Sequence, residues 1–215
     1  MVIDLGLLRN VEVDTEKNLV SFGGGCTWAD VDKELWKHKL ATVGGTVSDT
    51  GVGGLILGGG YGFLSPKYGL SVDLLVECEM VTADGTVRIV SDQESVGQDE
   101  KDLFWALRGA GRNFGVVTRF TMRAFPQGEV YCGVVVFPVE QLDKLVEFAN
   151  VVIERQDERI AMAMGVTHLP HGDALVPGLM SIVFYNGSED EGRTFFAPLL
   201  EVAIADMTGL NNGPR

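Results

Sequence analysis

The chain has 215 residues, of which 46% are hydrophobic and 22% charged, and its formal net charge is −13 at pH 7. This composition supports a packed core and excludes an intrinsically disordered chain. The negative charge argues against nucleic acid and against anionic membrane surfaces as partners, because both require a basic face. No apolar run reaches the length of a membrane span.

Neither the cysteines nor the first residues indicate secretion. Cys26, Cys78 and Cys132 are widely spaced and odd in number, which is typical of buried free thiols rather than of a disulfide framework or a zinc site. The opening sequence MVIDLGLL lacks the basic start and cleavage site of a signal peptide. We therefore expect the chain to begin inside a domain, with its compartment left open.

Alternation of apolar and polar residues predicts the first elements. A short strand is expected at residues 2–5, and a hairpin with arms at residues 11–14 and 19–22. The sequence TWAD at residues 27–30 is a helix-start signature, and the apolar residues that follow predict a helix to about His38.

The same patterns continue beyond the glycine-rich region. They predict a second hairpin, with arms at residues 74–81 and 87–90 joined by the turn ADG, and a strand at residues 116–120. Between them, Asp99 or Asp102 is expected to cap a short helix at residues 103–107, in which Trp105 is buried. Trp28 and Trp36 are also interpreted as core residues rather than ligand-stacking ones.

The character of the sequence changes around PQG at residues 126–128, where we place a domain boundary. Residues 1–127 would form one domain and residues 128–215 part of another. The second part is predicted to contain strands at residues 130–137, 160–167 and 179–185, a helix at residues 140–155 and a helix beginning at Ser188. The end of the chain, from Gly209, is predicted to be unstructured.

The stretch GVGGLILGGGYG at residues 51–62 contains seven glycines among twelve residues. Glycine loses more backbone freedom on folding than any other residue, so the run needs a reason. Either a ligand lies flat against bare backbone, or a helix packs very closely on a sheet. Asp49 or Thr50 is expected to cap a helix beginning near Gly51, whose N-terminal amides would bind a phosphate.

Two common phosphate-binding fingerprints are absent. The sequence contains no G-x-x-x-x-G-K-[ST], and Gly109-Ala-Gly111 is followed by Phe114 where G-x-G-x-x-G requires its last glycine. A nucleoside-triphosphate P-loop and an NAD-type Rossmann domain are therefore disfavoured.

Several sequence blocks occur together, in a fixed order, across about residues 2–125. The blocks are GGTVSDTGVGG at residues 44–54, GGGYG at 58–62, KYGL at 67–70 with Asp73, DLFWALRG at 102–109 and NFGVVT at 113–118. Together they resemble the berberine-bridge-enzyme-like FAD-linked oxidoreductases of the vanillyl-alcohol-oxidase superfamily, whose FAD-binding domain is called PCMH-type.

The resemblance implies an α+β fold. A PCMH-type FAD-binding domain, lacking its first segment, would occupy residues 1–127, and residues 128–215 would form part of a substrate domain with an antiparallel sheet. The resemblance further implies FAD as cofactor and a small-molecule substrate. The residues it assigns to cofactor binding are Thr46, Val47, Ser48, Thr50, Gly51, Val52, Gly53, Gly54, Gly58, Gly59, Gly60, Gly62, Gly115, Val116 and Val117.

Three departures from the family qualify this assignment. The family's R-x-G-G-H segment, which carries a flavin-linking histidine, would precede residue 1, so no covalent histidine is assigned. Val47 stands where many relatives have a second flavin-linking cysteine, and valine offers no nucleophile. Thr50 stands where relatives control access of oxygen, which leaves oxidase and dehydrogenase behaviour open.

The catalytic base of the family would lie beyond Arg215, so no catalytic residue is assigned. Tyr131 and Tyr185 are interpreted as packing residues on strands, and the pair His168 and His171 as a solvated turn rather than a metal site. The resulting hypothesis is an FAD-dependent oxidoreductase that moves a hydride from an alcohol, sugar or related molecule to flavin, with oxygen as final acceptor. The alternative is a truncated or degenerate relative that neither binds flavin nor catalyses a reaction.

Overall fold

The computed structural model describes residues 2–171 and 174–209. The described residues form two compact units, and the division falls between Gln127 and Gly128. Apart from Gly209, the predicted unstructured end lies outside the described residues. No helix among the described residues is both long and apolar enough to cross a membrane.

The first unit is built on an antiparallel sheet. Its strands are β1 (Val11–Asp14), β2 (Leu19–Gly23), β3 (Leu40–Ala41), β4 (Leu75–Val81), β5 (Val87–Ser91), β6 (Val116–Arg123) and β7 (Phe125–Pro126). Its helices are α1 (Trp28–Trp36), α2 (Val52–Ile56), α3 (Ser65–Tyr68) and α4 (Gln98–Ala110). The main sheet has the strand order β1-β2-β6-β4-β5, and β3 pairs separately with β7.

Both predicted hairpins are confirmed, as β1–β2 and β4–β5. The strand predicted at residues 2–5 is wrong. The backbone there turns, with the Leu8 amide donating to the Leu5 carbonyl at 2.8 Å, and the Leu8 carbonyl accepts from the Gly25 amide at 3.0 Å. These backbone groups are used in a turn and in a bond to the Gly23–Gly25 loop, so they do not form the ladder of a strand.

Helix α1 begins as its sequence predicts. The Asp30 carboxylate accepts hydrogen bonds from the Thr27 backbone amide at 2.8 Å and from the Thr27 hydroxyl at 3.1 Å. Trp28, Val31 and Leu35 form its buried face, and Trp36 is half-buried. The core interpretation of Trp28 is therefore confirmed.

Helix α4 differs from its prediction in both its start and its buried face. It begins at Gln98 with Gly97 as N-cap, so neither Asp99 nor Asp102 caps it, and the prediction of such a cap is wrong. Trp105 is 77% exposed, which also contradicts the prediction. The buried side chains are Phe104 and Leu107, which share a face because residues three apart are neighbours on a helix.

The second unit has the β-α-β-β-α-β order of a split βαβ fold. Its elements are β8 (Tyr131–Pro138), α5 (Leu142–Arg155), β9 (Ile160–His171), β10 (Ala174–Tyr185), α6 (Glu189–Leu200) and β11 (Ala205–Thr208). The sheet is antiparallel with the order β11-β8-β10-β9. Strand β11 was not predicted, whereas the helix predicted from Ser188 is confirmed as α6, with Ser188 as its N-cap.

Both units have their own apolar core. The core of the first unit includes Phe22, Trp28 and Phe120, and that of the second includes Val135, Val183 and Phe196. Cys26, Cys78 and Cys132 are free thiols, of which the first two are buried, and burial raises the pKa of both. Cys26 and Cys78 are therefore the buried free thiols that the sequence predicts, whereas Cys132 is half-buried.

Candidate cofactor-binding site

Several glycines of the region 44–62 are required by close packing inside the protein. A Cβ atom on Gly44 would lie 2.5 Å from the Trp28 ring, and one on Gly60 would lie 2.6 Å from the Ser71 hydroxyl. A Cβ atom on Gly62 would overlap the Gly44 carbonyl oxygen. At these positions the protein's own atoms exclude a side chain, so no ligand is needed to explain the glycine.

Gly51 and Gly54 differ from that group. A Cβ atom built on either one meets no atom within 4 Å, and both residues are exposed. Packing among the described residues therefore does not account for glycine at these two positions. A ligand that lies directly on the backbone would account for it.

The loop before Gly51 presents its side chains to solvent. Thr46, Val47 and Ser48 are exposed, and Thr50 is half-buried. The loop is anchored by its carbonyls, because the Thr50 and Ser48 carbonyls accept the amides of Trp28 and Ala29 at 3.1 and 2.8 Å. The start of α1 thus holds the loop in place.

Helix α2 begins near Gly51, as predicted, but is capped differently. It spans only Val52–Ile56, with Gly51 as N-cap and no side-chain cap, so the prediction that Asp49 or Thr50 caps it is wrong. The Val52 amide donates to the Cys26 carbonyl at 3.1 Å and is not free to bind a phosphate. Of the amides in the first turn of α2, those of Gly53 and Gly54 remain as candidates for binding a phosphate.

The following glycines make a turn that leads away from α2. Gly59 and Gly60 have φ values of 113° and 79°, a region that side chains strongly disfavour. Their carbonyls accept the amides of Val72 and Ser71, each at 2.8 Å. Gly58 is exposed at the start of this turn.

The second predicted segment, Gly115–Val117, enters β6 beside β4. Gly115 has a φ of 152°, and a Cβ atom there would overlap the Val81 carbonyl oxygen. Val116 is half-buried, whereas Val117 is only 4% exposed and belongs to the core. Val52 is also fully buried, so the side chains of Val52 and Val117 both pack inside the unit.

The structure connects the two predicted segments through Gly24. A Cβ atom on Gly53 would lie 3.9 Å from the Gly24 carbonyl oxygen, and the Gly24 amide donates to the Thr118 carbonyl at 2.7 Å. The glycine-rich segment and the start of β6 are therefore close neighbours in one unit.

One charged side chain at this surface was not identified from the sequence. The Arg112 guanidinium lies 4.0 Å from the position of a Cβ atom on Gly58, and both residues are exposed. Nothing in the local sequence GAGRNFG predicts this contact. It arises because the neighbouring residue Gly111 packs against Leu57, which precedes Gly58.

The remaining candidates from the sequence lie elsewhere. His38 is exposed after α1, and His168 is an exposed residue of β9, so the interpretation of the His168 region as a turn is wrong. Tyr131 and Tyr185 are buried in the core of the second unit. Among the described residues there is no cluster of His, Cys, Asp or Glu that could hold a metal ion.

Comparison with known proteins identifies the family. Residues 1–91 match the FAD binding domain family. The chain is 40% identical over 213 residues to the FAD-linked oxidoreductase pgmH of Aspergillus terreus, covering 97% of this chain and 42% of that protein. The chain belongs to the berberine-bridge-enzyme-like FAD-linked oxidoreductases.

Two solved enzyme structures share its fold. The 6-hydroxy-D-nicotine oxidase of Arthrobacter nicotinovorans superposes with a TM-score of 0.80 at 32% identity, over 95% of this chain and 45% of that one. The berberine bridge enzyme of Eschscholzia californica superposes with a TM-score of 0.76 at 25% identity, over 93% and 39%. The predicted α+β, PCMH-type fold class is confirmed, and the chain spans less than half the length of these proteins.

The geometry suits the cofactor of this FAD-linked oxidoreductase family. FAD is long and carries two phosphates, and the exposed backbone at Gly51 and Gly54 offers a surface that side chains would obstruct. The Arg112 guanidinium provides a positive charge at Gly58, at the far end of the same segment. Val47 is 57% exposed and offers no nucleophile for a covalent bond to flavin.

Proposed function

We propose that this chain forms the FAD-holding part of an oxidoreductase whose substrate is an alcohol, a sugar or a related small molecule. The bare backbone at Gly51 and Gly54 is the observation that carries the proposal, because nothing else in the described structure requires glycine there. FAD, when bound, supplies the acceptor for a hydride from a substrate carbon. We assign oxygen as the final acceptor.

The first unit, residues 1–127, is assigned to the cofactor. The residues proposed to line FAD are Thr46, Val47, Ser48, Thr50, Gly51, Val52, Gly53, Gly54, Gly58, Gly59, Gly60, Gly62, Gly115, Val116 and Val117. Of these, Gly60, Gly62 and Gly115 are tightly packed against other parts of the protein, and the side chains of Val52 and Val117 are buried. The part of these five residues in the site is therefore to shape the backbone. We add Arg112, whose charge suits a phosphate near Gly58.

The second unit, residues 128–215, is assigned to the substrate. Helices α5 and α6 cover one face of its sheet, where Val135 and Val183 are fully buried. The neighbouring residues Val134 and Ile182 point to the opposite face and are only half-buried. Side chains on this second face are proposed to shape the substrate pocket.

A visible absorption spectrum of the purified chain tests cofactor binding. We expect a yellow protein, or one that becomes yellow on addition of FAD. After acid precipitation the colour should move to the supernatant, because a noncovalently bound flavin is released when the protein unfolds. Val47 offers no nucleophile, and no histidine of this chain is assigned to a covalent bond with flavin. A chain that is folded by circular dichroism but binds no FAD would instead support the non-binding alternative.

The reaction is tested separately, in a longer protein that contains this chain. Candidate alcohols and sugars are added without air, and bleaching of the flavin absorption reports reduction. Air is then admitted, and rapid return of the yellow colour is expected if oxygen is the final acceptor. Reduction without rapid return in air would make the protein a dehydrogenase.

A further inference from the structure

Arg108 lies at a break in helix α4. It stands near the end of the sequence block DLFWALRG, and it is not among the residues proposed to line FAD. The backbone leaves the helical conformation at Arg108 and Gly109, with a ψ of 78° at the first and a φ of 116° at the second. Beyond this break the chain approaches the end of α2, where Gly111 packs against Leu57.

The side chain of Arg108 bonds to the short 3-10 helix Ser71–Leu74. Its Nε donates to the Val72 carbonyl at 3.2 Å, and its Nη2 donates to the Asp73 carboxylate at 3.3 Å. The Arg108 side chain is 34% exposed, so the ion pair with Asp73 by itself would contribute little. The two bonds together use the rigid fork of the guanidinium, and they fix the end of α4 against this short helix.

The short helix in turn holds the glycine-rich segment. The Val72 amide donates to the Gly59 carbonyl and the Ser71 amide donates to the Gly60 carbonyl, each at 2.8 Å. Val72 therefore accepts a hydrogen bond from Arg108 and donates one to the turn that follows α2. A change at Arg108 would be passed to this turn through a single residue.

We propose that Arg108 is a positioning residue of the cofactor site, which fixes the Gly58–Gly60 backbone relative to the Arg112 guanidinium. The inference rests on the proposed function, in which Arg112 meets a phosphate near Gly58. Arg108 acts on this place in two ways, through Val72 to the turn and along the chain to Arg112. Its own guanidinium is bonded within the protein, so its contribution is geometry rather than a further contact with phosphate.

Substitution by lysine separates this role from that of charge. Arg108→Lys keeps the positive charge but cannot form both bonds of the fork. We expect it to weaken FAD binding about threefold or more in a fluorescence titration, and we expect Arg108→Gln to weaken it at least as much. FAD binding by Arg108→Lys equal to that of the unsubstituted chain would overturn the proposal.

Arg88→Lys is the matched control. Arg88 forms the other ion pair of α4, with Glu100 in the first turn of the helix, at 2.6 Å. The same change of side chain there should leave the affinity for FAD unaltered. If Arg88→Lys weakened binding as much as Arg108→Lys, a general loosening of α4 would explain both effects and the proposal would fail.

A double substitution tests whether Arg108 acts through Arg112. Arg112→Gln removes the charge that is to be positioned, so Arg108→Lys should weaken FAD binding less in that background than it does alone. The same fold-change in both backgrounds would show that the two arginines act independently, which contradicts the proposal.

Hydrogen exchange without FAD tests the geometry by itself. The amides of Ser71 and Val72 should exchange about threefold faster or more in Arg108→Lys, whereas those of the β1–β2 hairpin should keep their rates. Unchanged exchange at Ser71 and Val72 would overturn the positioning role, whether or not the chain binds FAD. Faster exchange there, in a chain whose unsubstituted form binds no FAD, would support the hold of Arg108 on the turn and would instead refute the proposed function.

Discussion

The carbonyl oxygen of Gly44 occupies the place where a side chain on Gly62 would begin. Because this oxygen belongs to the backbone, it cannot rotate away as a flexible side chain would. Gly62→Ala is therefore expected to lower the free energy of unfolding by about 1–3 kcal/mol, the range for overpacking a well-filled site. Urea denaturation of the chain without flavin measures this effect, and a loss below about 0.5 kcal/mol would contradict the packing described.

Gly54→Ala is expected to separate cofactor binding from stability. Gly54 lies in α2 with no atom within 4 Å of a Cβ position, so alanine should leave the chain as stable or stabilise it by up to about 1 kcal/mol. If FAD lies on this backbone, the added methyl group should weaken FAD binding by about tenfold or more. Fluorescence titration with FAD checks the affinity. Unchanged affinity would place the cofactor elsewhere.

Arg112→Gln is expected to weaken FAD binding through loss of charge. A charge-assisted hydrogen bond to phosphate contributes about 1.5–3 kcal/mol, so a loss of about tenfold or more in affinity is expected, together with a weaker dependence on salt. Arg123→Gln is the matched control, because Arg123 is exposed at the far end of β6. Equal effects of both substitutions would indicate a general charge effect rather than a contact near Gly58.

The sequence predicted those elements whose signals are local. The β1–β2 and β4–β5 hairpins follow from alternation and turn residues. Thr27 begins a helix as its capping signature predicts, and the helix predicted from Ser188 is present as well. The errors arise where neighbours distant in sequence decide the outcome. Trp105 looks apolar and helical, but Phe104 and Leu107 form the face of α4 that is buried.

Within the candidate site, too, local sequence patterns predicted less than contacts between residues distant in sequence decide. The glycine-rich composition indicated close approach of something to the backbone, but it could not separate Gly62, which meets Gly44, from Gly54, which meets nothing. Arg112 was missed because its approach to Gly58 depends on the packing of Gly111 on Leu57, which no pattern within GAGRNFG reveals. Composition identified the region, and only the three-dimensional packing assigns a role to each residue.

Two aspartates of α1, two residues apart, are expected to give stability opposite dependences on pH. Burial raises the pKa of Asp32 from 3.8 to about 7, and no hydrogen bond or ion pair of its carboxylate is found among the described residues. Because the folded value exceeds the unfolded one, stability is greatest below about pH 4 and falls as the pH rises toward 7. Asp32→Asn should remove this fall and stabilise the chain at pH 7 by at least about 1.4 kcal/mol, the value of one pKa unit.

Asp30 should behave in the opposite way. Burial acts to raise the pKa of this carboxyl, but hydrogen bonds from Thr27 and Arg9 outweigh it and lower the pKa below 3.8. Its contribution is therefore present above about pH 4 and is lost as the pH falls further. Asp30→Asn should destabilise the chain at neutral pH by about 1 kcal/mol. Urea denaturation from pH 3 to 8 compares both variants with the unsubstituted chain, and slopes of the same sign would contradict the two environments.

Tyr131→Phe tests whether this tyrosine is structural. Its hydroxyl donates to the Thr208 hydroxyl at 2.6 Å, which joins β8 to β11 inside the core, and burial is the main cause of its raised pKa. Phenylalanine keeps the packing, and Thr208 still donates to Asp206, so a loss of about 1 kcal/mol in stability is expected. The rate of flavin reduction in the longer protein should not change, and Tyr185→Phe, on the same side of the sheet, is the control. A fall in that rate without loss of stability would instead make the Tyr131 hydroxyl part of the reaction, because a packing role acts only through the folded state.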